Sequence, residues 1–250
     1  MAIISQENIL SILTTFNPWW QNGVVPKAFV KEFHRSSYYT CRKSLLSDLR
    51  RIVVMSGARR TGKTTIMYQL IHDLLEQGVK PQNILFFTFD HPLIRMAGMD
   101  QVLNIYKNNI SDDAHFYMFV DEVQFDKDWT NYLKMAYDMN PDMRSVATGS
   151  ASAAIEDDVR ESGAGRWTVI KVTTLSFYEY CALKGISKAQ SVDDVFRIHT
   201  LSKQQQTQLM MGLSDLQIHL MRYMQIGGFP ELVKTEDVPY AQKLIREDVM

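Results

Sequence analysis

The sequence predicts an α/β fold built on a parallel β-sheet that is covered by helices on both faces. Three observations carry this expectation. Short apolar runs rich in β-branched and aromatic residues recur between residues 50 and 172, with helical patterns between them. The first run enters a glycine-containing turn, Gly57–Thr65, and then Ile66, Leu70, Ile71, Leu74 and Leu75 follow at helical spacing. A later run, Phe116–Val120, ends in two adjacent carboxylates, Asp121 and Glu122. Strands that alternate with helices pair in parallel through right-handed crossovers.

The elements follow in order. Residues 1–44 form an N-terminal arm, in which Asn17-Pro18-Trp19-Trp20 and Asn22-Gly23 read as turns bearing aromatic anchors. Ile52–Met55 is a buried strand, and Gly78 stops the helix after the turn. Ile84–Phe89 is the second strand, and Val102, Ile105 and Tyr106 mark a helix before the third, Phe116–Val120. Trp129, Tyr132, Leu133, Ala136 and Tyr137 share one helical face that ends before Pro141. Arg144–Thr148 and Trp167–Val172 are the fourth and fifth strands, and Ser176 with Glu179 forms a capping box that opens another helix. Residues 186–203 form a polar connection, Gln204–Met224 is helical, Gly227-Gly228 breaks it, and Tyr240–Met250 begins a last helix. The expected divisions are an arm at 1–44, a core at 45–185 and a C-terminal helical segment at 186–250.

Composition narrows the function. Apolar residues at 46% and charged residues at 22% of 250 are globular values, which exclude large-scale disorder. A net charge of -1 excludes a global basic field, so DNA binding would have to rest on a local cluster. Arg42, Lys43, Arg50 and Arg51 are that cluster, and a solvated face is its other reading. Cys41 and Cys181 lack CxxC spacing and the six histidines lack HxxxH pairs, which argues against a disulfide framework or a zinc site. The N-terminus lacks the charge pattern of a signal peptide, and no apolar run approaches the roughly 20 residues of a membrane helix. A cytoplasmic protein with no membrane partner is expected.

The chemistry concentrates at two motifs. Gly57, Ala58, Arg59, Arg60, Thr61, Gly62, Lys63 and Thr64 match GxxxxGK[ST], and Thr65 completes the grip. Glycines let several backbone N–H groups turn toward one anion, and the following helix adds its positive end. Lys63 reaches the β and γ phosphates of ATP, and the Thr64 hydroxyl ligates Mg²⁺. Arg59 and Arg60 have two readings, phosphate contact or solvated charge. Asp121 stands where a strand-end carboxylate holds Mg²⁺ beside Thr64, and Glu122 is placed to activate the attacking water. An adjacent acid pair favours water over an alcohol as phosphoryl acceptor. Thr148 and Ser150, closing the fourth strand, are both candidates to touch the γ-phosphate or its water, with an ST-type turn as the alternative.

The strand inserted between the two motif strands resembles the NTPase division with an extra strand and a catalytic glutamate. That resemblance implies a three-layer P-loop NTPase fold with sheet order 5-1-4-3-2. Gly57–Thr65, Asp121-Glu122-Val123-Gln124, Trp129, Thr148-Gly149-Ser150, Gly165-Arg166, Leu175-Ser176-Phe177 and Gly227-Gly228-Phe229-Pro230 occur in this order. Together they resemble a prokaryotic family of AAA-superfamily ATPases with a C-terminal domain of unknown function. Thr174 stands where that family usually has proline, and its C-terminal domain is expected here in shortened form. The resemblance implies a homo-oligomer in which a neighbour's arginine completes the site. Arg160 and Arg166 are the candidates, with ion pairs to Glu156, Asp157 or Glu161 as the alternative. Three functions stay open: Mg-dependent ATP hydrolysis that drives conformational change, a slowly turning nucleotide switch acting through a protein partner, and a DNA-associated ATPase.

Overall fold

All five apolar runs form strands, and all five strands are parallel. The computed structural model describes residues 5–150, 155, 157–159, 165–186 and 198–249. Along the chain run helices α1 (Gln6–Phe16), α2 (Trp19–Asn22) and α3 (Ser36–Leu45), then strand β1 (Ile52–Ser56). Next come α4 (Lys63–Glu76), β2 (Ile84–Thr88), α5 (Pro92–Asn109) and β3 (Tyr117–Asp121). They are followed by α6 (Trp129–Met139), β4 (Arg144–Gly149) and β5 (Trp167–Lys171), and then by α7 (Phe177–Leu183), α8 (Lys203–Ile226) and α9 (Val238–Val249).

The sheet order is β2-β3-β4-β1-β5, which is the expected 5-1-4-3-2 counted from the other edge. Every residue of β1 and β3 is buried, so both faces of the sheet are covered, as the three-layer reading requires. The register sets Val54 beside Ala147 and Val120 beside Ala147, so β4 lies between the two strands that carry the sequence motifs. The C-terminal ends of β3, β4 and β1 therefore lie side by side.

The chain divides into two compact units. The first comprises residues 1–57 and 62–172, and the second residues 58–61 and 173–250. In the second, the capping box at Ser176 and Glu179 opens α7, and a second box at Ser202 and Gln205 opens α8. Gly227, at φ 68°, ends α8 in the left-handed conformation. A Cβ on Gly228 would stand 2.8 Å from the Leu175 carbonyl, which accepts the Tyr223 hydroxyl, while Leu175 N–H donates to Gly228 O at 2.8 Å. The Leu-Ser-Phe and Gly-Gly-Phe motifs are thus each other's packing partners. Among the described residues no helix is long and apolar enough to cross a membrane.

The N-terminal arm is helical, which its sequence does not announce, and it belongs to the first unit. Its aromatic anchors pack as expected, and their polar atoms have a further task. As the sheet's edge strand, β2 has backbone groups that no strand pairs on its outer side. The Asn17 amide replaces a strand there: its Nδ2 donates to Phe86 O at 2.8 Å and its Oδ1 accepts Phe86 N–H at 2.6 Å. Both indole N–H groups of Trp19 and Trp20 donate to Ile84 O, at 3.0 and 2.8 Å. Unpaired buried backbone groups are costly, so these bonds carry stability. Replacing the fully buried Asn17 by alanine orphans both groups of Phe86. Urea denaturation of Asn17→Ala should show a loss of about 2–4 kcal/mol, since each orphaned group costs about 1–3 kcal/mol. A loss below about 0.5 kcal/mol would mean that this clamp does not hold the edge.

Candidate functional site

The site is assembled at the C-terminal ends of β1, β4 and β3. After β1 the chain turns through the loop Gly57–Thr65, with Arg60 at φ 62° and Gly62 at φ 92°. The left-handed turn at Gly62 lets α4 start at once with Lys63. No side chain caps that helix and its first turn holds no acid, which suits its N-terminus to an anion. Lys63 is only 4% exposed, and its Nζ donates to Gly57 O at 2.9 Å and to Ser150 Oγ at 3.3 Å.

Asp121 ends β3 and is 6% exposed. Its Oδ2 accepts the Thr64 hydroxyl at 2.9 Å and its Oδ1 accepts the Thr148 hydroxyl. Burial pushes the Asp121 carboxyl above its ordinary pKa. The bonds from Thr148 and Thr64 and the Lys63 charge oppose that rise, while the Glu122 charge adds to it. Glu122, one residue on, adopts φ 54° and ψ 50°, a conformation sparsely populated by residues other than glycine. This turn separates the two carboxylates. Asp121 meets Thr64, whereas Glu122 accepts Ser150 Oγ at 3.0 and 2.9 Å and also accepts Gln124 Nε2.

The two hydroxyl candidates part company. Thr148 is fully buried, donates to Asp121 and accepts Glu122 N–H at 3.2 Å, so its hydroxyl joins the acid pair. The Ser150 hydroxyl lies between Lys63 and Glu122. Gln124, which the sequence reading did not single out for a role, joins them by accepting Ser150 N–H at 3.3 Å. Its only sequence signal is its place two residues beyond the acid pair.

Of the two arginines expected to act on a neighbour's site, one is described. Arg166 precedes β5, and its carbonyl accepts Ile52 N–H at the end of β1 opposite the phosphate loop. Its guanidinium pairs with Asp138 at 3.0 and 3.3 Å, so it is not part of this chain's own site. Arg160, Glu156 and Glu161 lie outside the described residues. Arg60 pairs with Glu231 at 2.8 Å, while Arg59 is exposed. Within the basic cluster, Arg42 pairs with Asp73 at 3.2 Å and Arg51 bonds Trp167 O at 3.3 Å. Arg50 bonds the carbonyls of Tyr137 and Asn140 at 3.0 and 2.9 Å. All three therefore make bonds that hold the fold.

The donor set fits Mg²⁺. That ion takes oxygen ligands at about 2.0–2.1 Å in octahedral geometry, commonly one or two carboxylates with substrate phosphates and water. Thr64 Oγ1 and Asp121 Oδ2 stand 2.9 Å apart, about the edge of such an octahedron. Among the described residues no group of three His, Cys, Asp or Glu side chains makes an all-protein cage.

Comparison with known proteins places this geometry among nucleotide-binding domains. The profile of a family described as an AAA domain matches residues 49–181, just over half of the chain. An uncharacterized protein of Haemophilus influenzae is 28% identical over 193 residues, which cover 74% of this chain and 41% of that protein. Two uncharacterized proteins of Methanocaldococcus jannaschii are 22% and 23% identical, over 79% and 81% of this chain and 40% and 43% of theirs. The chain thus spans about two-fifths of the length of these curated relatives. Among solved structures, the S. cerevisiae Hsp104–ADP complex aligns with 72% of this chain and 26% of its own, at TM-score 0.44 and 16% identity. The Aeropyrum pernix ORC1 protein in complex with DNA aligns with 68% of this chain and 53% of its own, at TM-score 0.48 and 12% identity.

If Thr64 and Asp121 share one Mg²⁺, Asp121→Asn should weaken ATP affinity measured with Mg²⁺ more than affinity measured in chelator. Paired titrations decide it, and equal losses would show that Asp121 does not act through metal.

Proposed function

The chain belongs to the AAA domain family, and from that premise we propose that it binds Mg-ATP in the loop Gly57–Thr65 and hydrolyses it, with Glu122 as the group that activates water. The observation that carries this reading is the separation of two adjacent carboxylates. Asp121 is directed to Thr64, the metal-ligating position of the phosphate loop, and Glu122 is directed to the hydroxyl that also meets Lys63. A protein that only bound nucleotide would need the first carboxylate and not the second.

The residues then divide the reaction between them. Backbone N–H groups of the loop and the α4 N-terminus receive the phosphate oxygens, and Lys63 supplies a charge at the β and γ positions. Thr64 and Asp121 would hold Mg²⁺, which when bound would supply charge neutralisation at the phosphate oxygens. Glu122 accepts a proton from the attacking water, and Ser150 steadies its carboxylate. An arginine acting on the transferring phosphoryl group, for which Arg160 and Arg166 are the candidates, would come from a second copy of the chain. In this reading turnover drives conformational change.

Two variants test the proposal. Lys63→Ala should abolish stabilisation by Mg-ATP in thermal melts, and unchanged stabilisation would remove the central claim. Glu122→Gln keeps the shape and loses the charge. Interactions made only in the transition state alter turnover and leave binding alone. It should therefore bind ATP at near wild-type affinity and hydrolyse it at least ~100 times more slowly in single-turnover assays. Loss of binding in step with loss of turnover would show that the water-activating residue is misassigned.

A further inference from the structure

Gln124 holds the two halves of the reacting centre together. It sits in the short 3₁₀ turn Val123–Phe125 that follows the acid pair. Its Nε2 donates to Glu122, and its Oε1 accepts Ser150 N–H at 3.3 Å. The Ser150 hydroxyl closes the ring by donating to the same Glu122 carboxylate at 2.9 Å. The backbone makes room for this ring at Gly149, where a Cβ would stand 2.9 Å from Gln124 Oε1 and 1.8 Å from Ile155 Cδ1.

A glutamate side chain has three rotatable bonds and can sweep a wide arc. Glu122 leaves a left-handed backbone turn, so the regular alternation of β3 no longer sets its direction. Its direction must come from the groups that bond its carboxylate. Ser150 approaches both oxygens from the end of β4, and Gln124 approaches one of them from the turn. A carboxylate has about four acceptor sites, so these contacts orient it and leave capacity for a water proton.

We propose that Gln124 is a positioning residue for hydrolysis, holding the Glu122 carboxylate in register with Ser150 and Lys63. This rests on the reading of Glu122 as the water-activating group. Misplacing a reacting group by about 1 Å can cost about a hundredfold in rate. The effect belongs to turnover and not to nucleotide affinity, because Gln124 bonds Glu122 and Ser150 and not the loop.

The test compares wild type, Gln124→Met, Glu122→Gln and the double variant in steady-state and single-turnover ATP hydrolysis. Methionine keeps the volume and removes both amide bonds. Gln124→Met should lower kcat by about tenfold to a hundredfold while KM stays within about twofold. In the Glu122→Gln background it should add no further loss, since a disabled base gains nothing from being aimed. Gln124→Asn, one methylene too short to reach both partners, should lower kcat as well, and it stands in if the methionine variant does not fold. An unchanged or raised kcat, an equal proportional loss in both backgrounds, or a change confined to KM would each overturn the inference. A wild type that does not hydrolyse ATP takes down the hydrolytic reading itself, whereas an active wild type with a silent Gln124→Met variant sinks only the role given to Gln124.

Discussion

The hydrogen bond between Thr64 and Asp121 is the constraint on which the rest of the site depends. It joins residues 57 positions apart, one opening α4 and the other closing β3. A carboxylate that is 6% exposed is costly unless its oxygens are bonded. Thr64 satisfies one oxygen and Thr148 the other: Thr148 comes from β4, the neighbour of β3, and Thr64 from α4, which follows β1 on the far side of β4. This requires β4 to lie between β1 and β3, which is the observed order. Topology and site chemistry are therefore one requirement. With any other strand in the middle, the acid would lose a donor.

The same sheet is finished differently at its two ends. Small polar groups and carboxylates gather at the C-terminal end. The N-terminal end is held by arginines on backbone carbonyls: Arg50 on Tyr137 and Asn140, Arg51 on Trp167, and Arg144 on Leu45 and Ser47. Arg50 also lies over the Tyr137 ring, 3.5 Å from its centroid. The β2 edge is closed by Asn17, Trp19 and Trp20. A planar guanidinium serves two carbonyls at once and stays charged, which suits it to fixing chain ends where strands begin. Positive charge that resembles a docking patch in the sequence is thus structural cement in the fold.

The strands were legible because a strand buried on both faces is a continuous apolar run, and residues 52–55 and 117–120 are such runs. The phosphate loop and the acid pair were legible because their chemistry needs fixed residue types at fixed spacing. Helix α1 was not, since only Ile9 and Leu13, one turn apart, are fully buried, while Leu10, Ile12 and Phe16 are partly buried around them and blur the face. Helix α5 begins well before its periodic residues because Gly98, at φ 75°, interrupts its pattern. The task of Asn17 was hidden because its partner, Phe86, lies 69 residues away. Thr148 and Ser150 could not be told apart, since they are two residues apart and a continued strand would aim both at one face. The strand stops at Gly149, so Ser150 leaves that alternation and takes a different partner.

Ser150 shows why the site is a circuit rather than a set of separate groups. Its hydroxyl is shared, accepting from Lys63 and donating to Glu122. A hydroxyl has one proton to give, so its bond to Glu122 fixes which way its lone pairs face, and they face the lysine. Any phosphate oxygen that draws Lys63 changes the partner of that hydroxyl, and through it the field at Glu122. Lys63 and Glu122 are thereby joined by one side chain. That link needs Ser150 at a fixed distance from both, and the left-handed turn at Glu122 and the missing side chain at Gly149 provide it. The left-handed turn at Glu122 and the bare backbone at Gly149 therefore share one explanation, because each helps to bring the carboxylate to the hydroxyl.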